Sequence, residues 1–208
     1  MDSTPLNTPW PTSQPGRYQL TMPGQLSADG RALYDRIVGG PRASQRQHAP
    51  IVDAQGRLLG PFGLMTIAPA VGERVQSLGA ALRFASSLQP RLREIAILTI
   101  AAHFQSEFEW FAHQPAASAA GITETQLNQL MEGLIPDGLT SDETAAATAI
   151  QTMLQNHTLT DDEYYSAIEA LGEPLLAELV WLCGYYSMLA LSLNVFAPAN
   201  PLTNQAQF

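Results

Sequence analysis

What most constrains this chain is a succession of helix start and stop signals with no strand pattern between them. Ser27, Thr123, Thr140 and Thr160 stand where N-caps stand, and Pro69, Pro90 and Pro174 suit first helical turns. Gly39-Gly40-Pro41, Gly121 and Gly172 are stops. Between these signals the apolar residues repeat at helical spacing, as in Leu33 and Ile37, in Val71, Val75, Leu78 and Leu82, and in Leu92, Ile95, Leu98 and Ala102. Helices are predicted from about 28 to 38, 69 to 84, 123 to 131, 141 to 155, 161 to 171 and 174 to 195. Another covers 91 to 120 as two helices or one bent one. No period-2 alternation survives, so the fold class is all-α, a single-domain helical bundle.

Two stretches fall outside this scheme. Residues 1–25 carry five prolines, too many for a helix or central strand, and read as an extended N-terminal arm ahead of one helical domain over 26–208. Residues 39–63 read as a loop of a length that is usually functional or disordered, and it holds Arg42, Arg46 and Arg57.

Composition removes several chemistries. The 208 residues include ten arginines and no lysine, which excludes Schiff-base catalysis and the phosphate-loop lysine. The one cysteine, Cys183, rules out an internal disulfide, a Cys-x-x-Cys pair and a multi-cysteine zinc site. Charge is split along the chain: residues 1–93 hold all ten arginines and five acids, a formal +5, and residues 94–208 hold fourteen acids without Lys or Arg, a formal −14, together the −9 of the whole. A half without fixed cations cannot track a phosphate backbone, so no nucleic-acid partner is expected. An anionic ligand must meet N-terminal arginines such as Arg42, His113 or backbone amides. Residues 175–196 are about long enough to span a bilayer. Glu178, Tyr185, Tyr186 and Asn194 within the stretch, and the absence of Lys or Arg beyond it, make it a buried core or subunit-interface helix instead. The N-terminus lacks a secretory pattern, so a cytoplasmic location is expected.

The chemistry-bearing stretch is RLREIAILTIAAHFQSEFEWFAHQPAASAAGIT, residues 91–123. Ser106, Glu109 and His113 fall at i, i+3 and i+7, one stripe of a helix. A carboxylate one turn from an imidazole fixes its tautomer and leaves the other ring nitrogen for a ligand, the minimal apparatus of acid–base catalysis; the bland counterpart is a surface Glu–His pair. Glu94 interrupts an apolar run, which marks it as a working carboxyl or as the ion-pair partner of Arg91 one turn earlier. His103 and Glu107 occupy another face and read as a solvated pair. Metal ligation by Glu94, Glu109 and His113 has only generic spacing behind it, and no metal is assigned. Ser106 lacks the glycine-flanked turn of a hydrolase nucleophile.

The run Arg93-Glu94-Ile95-Ala96-Ile97-Leu98, then Glu109-Trp110, His113 and Ala120-Gly121-Ile122-Thr123, resembles the carboxymuconolactone decarboxylase family, which includes alkylhydroperoxidase D-like proteins. The resemblance spans roughly residues 30–200 and is densest over 60–125. It implies an all-helical fold and a homo-oligomer (dimer, trimer or hexamer) with sites near subunit contacts. In the peroxidase branch the motif is Glu, then Cys-x-x-Cys-x-x-x-His; here Glu94 and His113 keep their places while Ser106 and Glu109 stand where the cysteines would be. The resemblance therefore implies the decarboxylase-like branch: cofactor-free proton transfer on a small organic acid or lactone. His113 would move the proton, Glu109 would orient it and Glu94 would be a second carboxylate. Ser106, Trp110, Phe104, Arg42 and Tyr185 form the substrate-facing set, with Phe108 as a further apolar wall. The rival is a non-catalytic helical oligomer that binds a small ligand or partner.

Overall fold

The computed structural model describes residues 16–40 and 49–199, so residues 1–15 of the expected arm and Arg42 lie outside the described residues. Among the described residues every regular element is helical, apart from an isolated antiparallel bridge between Val52 and Leu58. The helices are α1 (Ala28–Gly39), α2 (Gly60–Met65), α3 (Pro69–Phe84), α4 (Pro90–His103), α5 (Glu107–Ala119), α6 (Glu124–Met131), α7 (Ser141–Asn156), α8 (Asp161–Leu171) and α9 (Glu173–Phe196). The described residues group into two compact units, 16–40 and 49–76 with 192–199, and 77–191.

In the first unit the chain from residue 16 is extended, and the Tyr18 amide donates to the Phe196 carbonyl at 2.9 Å. Pro23–Gln25 then forms a single 3-10 turn. The Ser27 hydroxyl accepts from the Gly30 amide at 3.1 Å and starts α1, whose Leu33 and Ile37 are fully buried. The expected loop is shorter than its sequence suggested. Around the Val52–Leu58 bridge the Asp53 carboxylate accepts from the Arg57 side chain, Gly56 takes a positive φ of 76° and the Tyr34 hydroxyl donates to the Gly56 carbonyl. Gly60-Pro61 then opens α2, with the proline in the first turn where no amide is needed. Six residues are too few to establish a helical period, which is why the sequence hid this helix. Gly72 of α3 is required by space, because a Cβ there would sit 2.1 Å from the Met65 carbonyl oxygen.

The second unit is built around α4. From Glu94 to Ala102 every residue is buried, so α4 is enclosed by neighbours on every side, with Glu94 and Thr99 its polar members in that run. It packs along α5, α6 and α7, and α7 carries α8. Three capping boxes open consecutive helices: Thr123 with Gln126 on α6, Thr140 with Glu143 on α7 and Thr160 with Glu163 on α8. The predicted choice between one bent helix and two resolves as two. Gln105 takes a left-handed φ of 50°, the Ser106 amide donates to the Ala101 carbonyl, and the chain doubles back from α4 into α5. In α3 the expected apolar stripe splits, Leu82 being buried while Val71 and Leu78 are exposed. Among the described residues α9 alone is long and apolar enough to cross a membrane. Its Leu176, Leu179, Leu182, Leu189 and Ala190 are buried, whereas Trp181, Met188 and Leu191 are exposed.

Candidate functional site

The turn at residues 104–106 brings two distant parts of the sequence together. Glu94 projects from the middle of α4 and His113 from α5, and both are buried. His113 Nδ1 lies 2.7 Å from Glu94 Oε2. On the opposite edge of the ring, His113 Nε2 faces Glu109 Oε2 at 3.6 Å, beyond hydrogen-bond length. The imidazole thus stands between two buried carboxylates, bonded to one and approached by the other.

The electrostatics of Glu94 fix the ring. Burial pushes its carboxyl up, but the charge and hydrogen bond of His113, with the charges of Arg93 and Arg83 behind them, outweigh burial and hold it below the usual carboxylate value. An ionised carboxylate only accepts, so the 2.7 Å contact calls for a proton on Nδ1, which leaves Nε2 as the ring nitrogen that can gain or lose one. Tyr186 of α9 meets the His113 ring at a centroid distance of 5.2 Å and 87°, and Tyr185 meets Tyr186 in the same T-shaped way.

The structure joins Glu94, Glu109 and His113 in one cluster. Ser106 is the buried N-cap residue of α5, and among the described residues its hydroxyl has no hydrogen bond. Trp110 is fully buried, while Phe104 and Phe108 are half-buried. His103 is exposed and packs edge-on against Phe104. Two expected pairings change. Glu94, not Glu109, makes the short bond that orients His113, because the α4–α5 turn delivers a carboxylate from the neighbouring helix that spacing along one helix cannot reveal. Arg91 does not pair with Glu94; its Nε donates to Glu143 Oε1 at 2.8 Å and its Nη2 to Gln126 Oε1 at 3.1 Å. Of the two tyrosines, Tyr185 is buried behind Tyr186, which is the one touching the imidazole. Neighbours in a helix point about 100° apart, so only the placement of α9 selects between them.

Cys183 is buried, and burial pushes its thiol up despite a hydrogen bond with Ser187, the opposite of an activated nucleophile. Among the described residues no group of three or more His, Cys, Asp or Glu side chains is arranged to hold a metal ion.

Residues 69–152, which carry Glu94, Glu109 and His113, match the model of the carboxymuconolactone decarboxylase family. No curated protein matches the chain. Among solved structures, the alkylhydroperoxidase AhpD core of an uncharacterized peroxidase-related protein from Ralstonia eutropha JMP134 superposes with a TM-score of 0.69 at 12% identity, over 94% of this chain and 98% of that one. At that identity the likeness speaks for the fold alone. Residues 69–152 are thus similar to the carboxymuconolactone decarboxylase family, in a chain with the all-helical fold of the alkylhydroperoxidase AhpD core.

Proposed function

We propose that the protein is a proton-transfer enzyme that needs no cofactor, a decarboxylase or isomerase acting on a small organic acid or lactone. The observation that carries this reading is the buried imidazole with Nδ1 bonded to Glu94 at 2.7 Å and Nε2 left toward Glu109 at 3.6 Å. Such a ring has its tautomer set and its basic nitrogen available, as a general acid–base group requires. In an isomerisation, Nε2 takes a proton from one carbon of the substrate and the imidazolium returns it to another. In a decarboxylation, Nε2 first takes up a proton from water or from the substrate's carboxylic acid group; the C–C bond then breaks, CO2 leaves, the electron pair stays on the carbon, and the imidazolium protonates that carbon. Glu109 stabilises the charged ring in either case. The Ser106 hydroxyl, buried and without a hydrogen bond among the described residues, suits a substrate oxygen. Trp110 and Phe104 supply apolar surface that strengthens these interactions.

The family segment supports the decarboxylase-like form of this reading. A thiol peroxidase is disfavoured, since Ser106 and Glu109 occupy the positions of the two sulfurs that the mechanism needs and the lone Cys183 is buried. We further propose that the protein works as a homo-oligomer. Exposed Trp181, Met188 and Leu191, with the open Gly184 between them, follow an i, i+3, i+7, i+10 course along α9 that suits a helix from a second subunit.

The test is CO2 release or isomerisation of a panel of carboxylated γ-lactones by the purified protein. Turnover that falls with His113→Asn supports the enzyme. Binding without turnover across the panel replaces it with a ligand-binding scaffold.

A further inference from the structure

We propose that Arg93 is the positioning residue of this site: its guanidinium, tied to the end of α3, keeps Glu94 ionised and thereby keeps the His113 proton on Nδ1. Arg93 Nη1 donates to the Arg83 carbonyl at 3.2 Å, within the last turn of α3, and Arg93 Nε lies 3.5 Å from Glu94 Oε1. The side chain is largely buried, at 16% exposure, so its charge acts with little screening by water.

The two oxygens of Glu94 are divided between two partners. Oε2 takes the hydrogen bond of His113, and Oε1 faces Arg93. Arg93 Nε makes no hydrogen bond among the described residues, so it influences Glu94 by charge rather than by a directed bond. This distinction matters to the ring. The nearby positive charge on the Oε1 side strengthens the ionised form of the carboxylate and leaves Oε2 to the imidazole. The remaining charged or titratable groups around the pair are Arg83 on α3, which also favours ionised Glu94, Glu109 on the far edge of the ring, and Tyr186 of α9 against the ring. Adjacent residues of a helix diverge by about 100°, so the Arg93–Glu94 approach exists because the arginine is drawn toward the end of α3.

The inference deepens the proton-transfer reading, but its test needs no substrate and so stands or falls separately. In 15N-labelled protein, the His113 ring nitrogens are followed against pH in wild type, Arg93→Gln and Arg93→Lys. Glutamine retains an amide that can donate to the Arg83 carbonyl but carries no charge. Its loss of charge weakens ionised Glu94 and with it the bias toward Nδ1–H, and the titration midpoint of the Glu94 carboxyl, seen through the imidazole it bonds, should rise. Arg93→Lys, which keeps the charge, should fall between the two. An unchanged midpoint in Arg93→Gln with a lowered melting temperature would reduce Arg93 to a tie on α3 and overturn the proposal. The Glu94 carboxyl carbon gives a second reading: its titration should move up in Arg93→Gln and stay nearer to wild type in Arg93→Lys, and equal movement in the two variants overturns the proposal as well.

Discussion

Two polar clusters hang from α4 one turn apart, and they are built on opposite principles. Arg91 reaches Glu143 of α7 and Gln126 of α6, the very residues that close the capping boxes of those helices. Glu143 Oε2 accepts from the Thr140 amide, and Gln126 donates to the Asp137 carbonyl while accepting from the Thr123 amide. Glu143 and Gln126 thus hold backbone, and Arg91 ties the two together through their side-chain oxygens. Around Glu94, by contrast, only the 2.7 Å bond to His113 is short, the approaches of Arg93 and Glu109 are 3.5 and 3.6 Å, and the Ser106 hydroxyl has no hydrogen bond among the described residues. A fully satisfied buried network rigidifies a fold, whereas one with capacity to spare can bind and react. The same helix thus carries a staple and a site.

Mutations can pull the two apart. The largest effect is expected from His113→Asn, which keeps one hydrogen bond to Glu94 but removes the titrating ring: turnover should fall by about 10²-fold or more, as for a general acid–base group, with the melting temperature nearly kept. Glu94→Gln should cost on the order of tenfold in turnover, because the ring remains but its tautomer is no longer fixed. This variant also carries a pH signature. Glu94 is held below its ordinary value of 4.5, so the stability its ionised form contributes is fully present above that value and is lost as the pH falls through the lower folded-state value. The melting temperatures of wild type and Glu94→Gln should therefore differ at neutral pH and converge on acidification.

Arg91→Ala should show the reverse profile, a loss of about 2 kcal/mol in urea unfolding from two hydrogen bonds of a charged group, with turnover close to wild type. A loss of turnover as large as that of His113→Asn would show that the two clusters are not separable. The smallest effect belongs to His103→Asn, an exposed side chain at the end of α4, which should leave both melting and turnover unchanged.

The helices were legible because their ends are written locally. Thr123, Thr140 and Thr160 each accept from the third residue of the following helix, a signal confined to four positions in sequence. Helix α2 was not legible, since Gly60, Pro61 and Gly63 in a six-residue element resemble a loop. Val71 and Leu78 follow the same spacing as the buried Leu82 yet are exposed, because spacing assigns residues to a face without saying what covers it. The site residues Glu94, Glu109 and His113 were visible as types and positions. Their roles were not, because the bond that orients His113 joins residues 19 apart across a turn whose geometry depends on Gln105 adopting a left-handed backbone. Tyr185 rather than Tyr186 was expected at the site, and Arg93 carried no expected role, for a related reason: only packing decides which of two neighbouring residues faces the imidazole or its carboxylate partner.

The most direct test of His113 as proton carrier is the incorporation of solvent deuterium at carbon, followed by NMR as a carboxylated γ-lactone is turned over in D2O. Wild type should place deuterium at the carbon that loses CO2 or receives the migrating proton, and His113→Asn should do so about 10²-fold more slowly with its fold intact. Equal rates of incorporation in the two proteins would contradict the assignment and leave the Glu94–His113–Glu109 cluster a structural feature.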